Sequence, residues 1–453
     1  FHSKKSFRVN FPKGTDFGGR TEINLLASLA DPTDLLEDFF YDVMAQTRVI
    51  APFARKVELR VNGTYYGLMT DVESVSSKRF LQSHGIDPAA TIYRTAGYFD
   101  FHMLSSQQDW AKAFDQDTNK KTPDLVPPIE FVKAINRTPP DQFASWLSAR
   151  MDVDEYVNYL VGNALISNDY IQHSRSYLIY EPQRQFWTFV PWDLNNSAMI
   201  SWNETWGADI VVKPAYAQFT PVPFTAFEFA YRPLGHDDSP RWGVLSTRVL
   251  QTPELRAKFI ARLQEALNTT FTPDVMNPYI DKLYAQIEPS ALADPYVNAT
   301  LFKGGPAWLK QYVADRRQFL LSQIPALQAL GHSGLTINEI GPSFVELHNA
   351  TSAPYDLSGF YMSNDLHVPQ HYTFPKGTVI PAGGFLVVKQ VEVSASGGEA
   401  GLFKPTTLEQ GLAGDSGVID LVYYGPLAAG TSYARTPAGS DTWAAQDSPT
   451  PGS

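Results

Sequence analysis

The stretch SNDYIQHSRSYLIYEPQRQFWTFVPWDLNNS, residues 167–197, contains two short runs rich in β-branched and aromatic residues. SRSYLIYE and QFWTFVPW read as two antiparallel strands joined by a short turn. Metal-capable side chains flank this hairpin, two before its first strand and three after its second: Asp169, His173, Asp193, Asn195 and Asn196. Both flanks lie at the same end of a hairpin. The sequence therefore predicts that the two groups meet, as a magnesium or nucleotide-phosphate site requires.

Composition limits the class of protein. At 453 residues the chain is too long for one ordinary core, so two or three domains are expected. A formal charge of −11 without a Lys/Arg cluster argues against a nucleic-acid partner. The lack of cysteine excludes disulfides, cysteine-ligated zinc and thiol catalysis. No run of 18 apolar residues occurs, so no transmembrane segment is predicted.

Seven Asn-x-Ser/Thr sequons occur where roughly two are expected by chance. They begin at Asn62, Asn136, Asn195, Asn203, Asn268, Asn298 and Asn349. Their number predicts a secreted or cell-surface protein that is N-glycosylated, and the alternative is ordinary use of Asn and Thr in turns. Because Phe1 lies inside an apparent strand, we expect a signal peptide and earlier sequence to precede it.

Two early strands carry candidate charges. In KKSFRVNF, residues 4–11, alternation places Lys5 on the face of Phe7 and Val9. Such a lysine either extends to solvent at the sheet edge or pairs with a carboxylate or phosphate in a cleft. Asn62-Gly63 predicts a second hairpin, and Glu73 at its end is either solvated or paired with a lysine of an adjacent strand.

Helical patterns occupy much of the remainder up to residue 330. Asp31-Pro32 predicts a helix start, and Asp152 with Glu155 forms a capping box before another helix. Residues 85–140 read as an irregular insertion with short helices. Further helices are predicted near 239–250, 253–268, 273–287 and 306–329. The tryptophans between residues 187 and 242 either pack internally or form a stacking surface for sugars or bases.

Helical periodicity stops near Gly331. Short alternating runs then follow, separated by Gly, Pro, Asn and Asp turns, and they predict an immunoglobulin-like β-sandwich. The tail from residue 439 reads as a loop. The predicted organisation is a first domain over residues 1–330, a linker over 331–334 and the sandwich over 335–453.

Three segments in order resemble the motifs of the spore-coat CotH kinase family: VNGTYYGLMTDVESVSSKRFL (61–81), NDYIQHSRSYLIY (168–180) and FVPWDLNNS (189–197). The corresponding family patterns are NGxYxGxYxxxE, NxDxxxHNxxLY and PWDxD. KKSFRVNF is similar to the early strand of the family, so the resemblance covers most of residues 1–325. It implies an α+β atypical protein-kinase-like domain that uses ATP with Mg²⁺ or Mn²⁺.

A second resemblance covers residues 335–453. LTINEIGPSFVELHNATSAPYDLSGFYMSND (335–365), TFPKGTVIPAGGFLVV (373–388) and SYARTPAGSDTW (432–443) are similar to the lamin-tail domain. This resemblance implies an all-β immunoglobulin-like sandwich after the first domain. Such a module offers edges and loops for assembly or homo-oligomer formation.

The first resemblance also implies roles for individual residues. Asp169 matches the catalytic-loop aspartate and Asp193 the metal-binding aspartate. Lys5 and Glu73 are candidates for the ion pair that positions the ATP phosphates, with His173 as a further cofactor-binding candidate. These roles fit phosphoryl transfer, which has two requirements. It needs a carboxylate that orients the attacking hydroxyl, and it needs oxygen ligands that hold the metal.

Two departures from the family pattern lie at the implied metal site. Ser174 replaces an asparagine and Asn195 replaces an aspartate, and both changes weaken the oxygen donor set for magnesium. The sequence therefore supports several functions. They are ATP-dependent phosphorylation of Ser or Thr in an extracellular or coat protein, another ATP-dependent modification such as glutamylation or adenylylation, a catalytically degenerate structural or adhesive surface protein, and carbohydrate binding through the tryptophans.

Overall fold

The computed structural model describes most of the 453 residues. The described residues are 4–28, 31–95, 99, 101–166, 168, 176–199, 243–329, 334–366, 368–405 and 418–453. The described part of the chain forms an α+β region followed by an all-β region. None of the described helices is both long and apolar enough to cross a bilayer.

The first sheet is antiparallel, and its described strands pair in the order β1-β2-β4-β3. These strands are β1 (Phe7–Asn10), β2 (Glu22–Leu26), β3 (Ala54–Val61) and β4 (Thr64–Val72). Asn62 and Gly63 connect β3 to β4 with positive φ angles of 52° and 83°. Two such residues form the turn whose twist matches a hairpin, so this predicted hairpin is confirmed.

Helix α1 (Leu36–Gln46) packs against β3. Its apolar stripe is buried as predicted, but the helix begins later than Asp31-Pro32. Asp34 has a φ of +50°, which no helix accommodates, and so the chain turns before it becomes helical. Asp31 still caps this turn, because its carboxylate accepts hydrogen bonds from the amides of Thr33 and Leu36 at 2.8 and 2.7 Å.

The second sheet contains the predicted 167–197 hairpin and pairs in the order β6-β5-β7-β8. Its strands are β5 (Thr91–Thr95), β6 (Phe114–Gln116), β7 (Tyr177–Glu181) and β8 (Phe186–Val190). Antiparallel pairing of β7 with β8 confirms the hairpin. Residues 85–140 contain short helices as predicted, but the prediction of an irregular insertion was wrong, because this segment also supplies two strands of the sheet and the buried Phe131 and Ile135.

Nine further helices follow in the described residues; all but the first contribute to one large hydrophobic core, and the first packs in a smaller core with β5, β7 and β8. They are α2 (Lys78–Ser83), α3 (Gln107–Ala113), α4 (Val126–Arg137), α5 (Phe143–Ser148), α6 (Val153–Ile166), α7 (Val244–Gln251), α8 (Pro253–Thr269), α9 (Pro273–Ala293) and α10 (Ala299–Gln328). Short 3₁₀ segments occur at Pro140–Gln142 and Leu194–Met199. The Asp152 cap of α6 is confirmed, since its carboxylate accepts the amides of Asp154 and Glu155 at 2.9 and 3.1 Å.

The C-terminal region is all-β. Its strands are β9 (Leu335–Gly341), β10 (Phe344–Asn349), β11 (Tyr355–Asp356), β12 (Tyr361–Ser363), β13 (Tyr372–Thr373), β14 (Val379–Ile380), β15 (Phe385–Val388), β16 (Gly398–Phe403), β17 (Val418–Tyr424), β18 (Ser432–Arg435) and β19 (Trp443–Gln446). Two larger sheets, β15-β10-β9-β18-β19 and β13-β12-β16-β17, enclose a shared apolar core, and β11 pairs with β14. The expectation of a loop-like tail was wrong at β19, which pairs with β18.

Gly67 in β4 allows a buried carboxylate to approach the first sheet. The Asp294 side chain, just beyond α9, accepts a hydrogen bond from the Leu68 amide at 2.7 Å. A Cβ atom on Gly67 would lie 2.7 Å from Asp294 Oδ2, and the φ of Gly67 is +155°. The glycine of the hairpin motif is therefore required by its backbone conformation and by this close approach.

We predict that Gly67→Ala lowers the free energy of unfolding by about 3 kcal/mol, because it combines backbone strain with a clash against a buried acceptor. Gly63→Ala is the matched control in the same hairpin, since nothing lies within 4 Å of its Cβ position. That control loses about 1 kcal/mol from strain alone. Urea unfolding measures both values, and equal losses would contradict the role of Asp294.

Candidate functional site

Asp193 lies three residues after the end of β8 and is half-buried. Its φ is +61°, a left-handed conformation that aspartate tolerates better than most residues. The Asp193 amide donates a hydrogen bond to the hydroxyl of Tyr41 on α1 at 3.2 Å. Burial raises the pKa of Tyr41 well above its usual value, so the phenol stays neutral and can act as an acceptor. Helix α1 therefore fixes the backbone of the candidate metal ligand.

The other members of the predicted metal and catalytic group lie mostly outside the described residues. Asp169, His173 and Ser174 fall in the gap between residue 168 and residue 176. The backbone of Asn195 belongs to the Leu194–Met199 segment, and its side chain is outside the description. The meeting of these groups with Asp193 stays a prediction.

The helix that leads to Asp169 is held at its C-terminal end. Arg316 of α10 is 1% exposed and donates two hydrogen bonds to the carbonyl of Ala164, one of them at 2.7 Å. Tyr312 donates from its hydroxyl to the carbonyl of Leu165 at 2.8 Å. A cation and a hydroxyl here satisfy carbonyls that a helix end leaves unpaired. The last turn of α6, which precedes Asp169 in the sequence, is therefore fixed.

Lys5 and Glu73 are not paired with each other in the described structure. Lys5 is exposed, and its backbone amide donates to the hydroxyl of Tyr66 at 2.8 Å. Glu73 is 7% exposed, and its amide donates to the carbonyl of Phe53 at 2.9 Å. Among the described residues neither side chain forms an ion pair, so their role at ATP stays a prediction without an observed contact.

The buried lysine of the N-terminal segment is Lys4. Its ammonium lies 2.8 Å from Asp294 Oδ2 and 2.5 Å from the carbonyl oxygen of Leu68. The side chains of Lys4 and Asp294 are 2% and 0% exposed. Alternation did not identify Lys4 because β1 begins only at Phe7, and residues before a strand do not follow its two-residue period.

A second buried lysine, Lys56 of β3, faces the start of α1. Its side chain is 4% exposed, and its ammonium donates to Thr70 Oγ1 at 2.8 Å. Carboxylate oxygens of Asp34 and Asp38 lie 3.5 and 3.8 Å from this ammonium. Glu37 is fully buried nearby and accepts from Ser28 Oγ at 3.2 Å. We call these four acidic and basic side chains, Asp34, Glu37, Asp38 and Lys56, the Lys56 cluster.

Burial dominates the protonation of the Lys56 cluster. Desolvation raises the pKa of Asp34 and of Asp38 to about 6 although Lys56 opposes the shift. Desolvation raises the pKa of Glu37 to about 8 against the opposing charge of Lys56, and the negative charge of Asp193 contributes to the rise. The same carboxylates raise the pKa of Lys56, which stays charged. The negative charge of Asp193 thus acts on Glu37, and Tyr41 of the same helix contacts the Asp193 amide.

The high density of acidic residues at the start of α1 was a sequence signal for this cluster, but strand and helix periodicity alone do not detect it. DPTDLLED, residues 31–38, holds four acids within eight residues, and their charges all act on Lys56. Lys56 lies in an ordinary alternating strand, where a lysine usually faces solvent. Only the packing of α1 on β3 shows that this lysine points inward.

The donor chemistry at Asp193 fits a magnesium-type cation. The described residues contain no group of three or more His, Cys, Asp or Glu side chains arranged around a metal position. Asp193 supplies one half-buried carboxylate. Hard oxygen donors in a negative environment are what Mg²⁺ and Mn²⁺ prefer. The remaining donors would come from Asp169, Ser174 and Asn195.

The tryptophans that are described pack internally. Trp187 is 3% exposed and stacks on Phe131 with ring centroids 4.8 Å apart. Trp192 is half-buried and meets Tyr177 edge to face at 5.3 Å. Trp202, Trp206 and Trp242 lie outside the described residues. Core packing therefore accounts for Trp187.

Two of the seven sequons are closed to glycosylation in the folded chain. Asn136 is 3% exposed, and its amide nitrogen donates to the carbonyls of Phe101 and Val132. Asn349 is fully buried, and its amide nitrogen donates to three carbonyls. The exposed sequon asparagines in the described residues are Asn62, Asn268 and Asn298. Expected glycosylation is thereby limited to these sites and to Asn195 and Asn203, whose side chains lie outside the description.

We predict that Lys56→Met destabilises the chain by about 3–5 kcal/mol, because removal of one partner leaves buried carboxylates without a counter-charge. Lys5→Met is the matched control, since the Lys5 side chain is exposed and unpaired among the described residues. The control changes the unfolding free energy by less than about 0.5 kcal/mol. Urea unfolding of both variants checks the prediction, which fails if their losses are similar.

Glu37→Gln tests the protonation of the cluster. The pKa of Glu37 is about 8 in the folded chain against 4.5 as the ordinary value, so folding takes up a proton between these two pH values. Its contribution to stability is therefore present at pH 4.5 and is lost as the pH rises to 8. The variant should remove a slope of up to about 1.4 kcal/mol per pH unit from the unfolding free energy.

The measurement is urea unfolding of wild type and Glu37→Gln at pH 5, 6, 7 and 8. Glu254→Gln, at an exposed position in the first turn of α8, is the control and should keep the wild-type slope. Parallel pH curves for the wild type and Glu37→Gln would show that Glu37 is ionised in the folded chain.

Comparison with known proteins identifies the relatives of this chain. The family model described as "CotH kinase protein" matches residues 1–320. The chain is also 24% identical over 332 residues to the inner spore coat protein H of Bacillus subtilis (strain 168). That alignment covers 72% of this chain and 84% of the relative. The first resemblance drawn from the sequence is thus confirmed at the level of the family.

Proposed function

The chain belongs to the CotH kinase protein family, and we propose that it is an atypical protein-kinase-like enzyme. The proposed reaction transfers the γ-phosphoryl group of ATP to a Ser or Thr hydroxyl of a coat or surface protein. ATP with Mg²⁺ or Mn²⁺ is the proposed cofactor pair. The relative named as an inner spore coat protein supports a coat-type partner and a coat or surface location.

The observation that carries this proposal is the placement of Asp193. Its backbone is held in a left-handed conformation by the buried Tyr41 hydroxyl, at the end of the hairpin that the family motifs identify. A metal ligand must be held in a fixed position, and contacts beyond the ligand itself provide this.

The proposed roles follow from the chemistry of phosphoryl transfer. Asp193 would hold the metal, and Asn195 and Ser174 would supply neutral oxygen donors to it. Asp169 accepts the hydrogen bond of the attacking hydroxyl and orients it. The bound metal would neutralise charge on the phosphate oxygens. His173, Lys5 and Glu73 are proposed to contact the nucleotide.

A catalytically silent structural or adhesive role is the second candidate, and a specific observation favours it. Ser174 and Asn195 replace the family's Asn and Asp, so the implied site has lost one amide and one carboxylate. Weaker metal binding would leave the fold as a coat or surface component, in which the C-terminal sheets serve assembly. Other ATP-dependent transfers, such as glutamylation or adenylylation, use the same binding step and share the first test below.

We predict saturable binding of ATP in the presence of Mn²⁺ or Mg²⁺ by the full-length chain, measured by isothermal titration calorimetry. Asp193→Asn should weaken this binding at least about tenfold, because it removes the charge from the metal ligand while keeping its shape. Asp281→Asn is the control, since Asp281 is 61% exposed and pairs with Lys310 on the surface.

Two results of this titration would contradict the proposal, and a transfer assay follows if binding is found. No saturable binding by the wild type would contradict an ATP-dependent activity and favour the structural role. Binding that Asp193→Asn leaves intact would contradict the assignment of Asp193 to the metal. If binding is confirmed, transfer of labelled γ-phosphate to a serine-containing acceptor separates phosphorylation from the other transfers.

A further inference from the structure

A buried arginine lies where the helical region meets the C-terminal sheets. Arg248 of α7 is 3% exposed and donates hydrogen bonds to the carbonyls of Ile135 and Thr138, at the C-terminal end of α4. Its guanidinium lies 4.0 Å from the ring centre of Phe143 and 5.9 Å from that of Tyr423. Tyr423 belongs to β17. The negative end of α4 and two aromatic faces therefore stabilise one cation, and one of these faces comes from the C-terminal region.

No carboxylate neutralises Arg248 in the described part of the chain, and burial lowers its pKa to about 9. Such a cation is tolerated only while its carbonyl and aromatic partners stay in place. Removal of the C-terminal sheets would uncover one side of it. Arg248 thus makes the end of α4 dependent on β17.

Apolar packing also crosses this junction. Side chains of the C-terminal region are buried in the core of the helical region rather than in that of their own sheets, namely Leu366, Phe403, Leu421 and Tyr423. Helix α4 contacts both β16 and β17. A Cβ atom on Gly425 would lie 2.7 Å from the carbonyl oxygen of Arg137, so the two backbones touch. The junction is packed like a protein interior.

A chain of ion pairs continues the junction at its edge. Arg256 of α8 binds Asp441 at 2.6 Å, and Asp441 lies 3.9 Å from Arg435 of β18. Arg435 in turn binds Asp420 of β17 at 2.9 Å. The side chains of these four residues are at most 13% exposed. Helix α8 is thereby linked to both larger C-terminal sheets through partly desolvated charges.

The junction is continuous with the support of the candidate site. Phe131 of α4 stacks on Trp187 of β8 and also packs near Phe189 of the same strand. Strand β8 ends three residues before Asp193. The order of contacts is β17, Arg248, α4 and then β8.

We propose that the C-terminal β region and the helical region unfold as one cooperative unit. The C-terminal sheets pack against α4 and so hold α4 and β8 in place. The C-terminal β region is not a separately folded module on a linker. The proposal does not depend on ATP binding or catalysis, and it applies equally to an enzyme and to a structural protein.

Native-state hydrogen exchange of the full-length chain tests the proposal. Leu347→Ala removes a fully buried side chain from the core between the C-terminal sheets, far in sequence from α4 and β8. The slowest-exchanging amides of α4 and β8 should accelerate by the same factor as those of β9 and β10, at least about tenfold. Val379→Ala is the matched control, because Val379 is 47% exposed in the same region, and it should change neither group.

Faster exchange confined to the C-terminal strands, with α4 and β8 unchanged, would overturn the proposal. Arg248→Met provides the reciprocal test from the helical side. It should accelerate exchange in β16 and β17 as well as in α4, and an effect limited to α4 and α7 would equally overturn the proposal. If Leu347→Ala unfolds the C-terminal sheets completely, the amides of α4 and β8 should lose their protection from exchange as well. Amides of α4 and β8 that stay protected in this variant would overturn the proposal.

Discussion

The arrangement of α1 on the first sheet depends on the contacts of the buried Lys56 ammonium with the acidic residues at the start of α1. Asp34, Glu37 and Asp38 enter the protein interior at the start of α1, where carboxylates without a counter-charge would be costly. Lys56 and Thr70 from β3 and β4 provide the opposing charge and a hydroxyl. Because α1 also carries Tyr41, the contact that fixes the helix on the sheet also fixes the backbone of Asp193. Charge neutralisation and site geometry are therefore coupled.

Buried arginines serve the second sheet in a similar way. Arg316 binds the end of α6, and Arg248 binds the end of α4. Each helix end presents unpaired carbonyls with a partial negative charge, which a guanidinium can satisfy with several donors at once. One of these helices leads to Asp169, and the other packs under the strand that leads to Asp193. Helix ends held by buried cations thus fix the last turn of α6 and support the strand that leads to Asp193.

Local rules predicted much of the fold. Asn62-Gly63 identified one hairpin and the 167–197 pattern another, since turn chemistry and strand alternation act between neighbouring residues. The irregular reading of 85–140 failed because β5 and β6 are short strands stabilised by their partners in the sheet. For the candidate site, Asp193 was recognised from its motif and is held by a specific contact. The buried lysines were missed, because Lys4 and Lys56 become core residues only through Asp294 and α1.

The sequence by itself determined the two hairpins, the main buried helix faces and the change to β-structure after Gly331, together with the motifs that identify the family. These features depend on side-chain periodicity and turn residues, which are local properties. The tertiary structure alone decided which lysines are buried, which sequons are accessible, and how the C-terminal sheets join the helical region. Those outcomes depend on contacts between residues tens to hundreds of positions apart, where desolvation, and not local pattern, determines the partner of each charge.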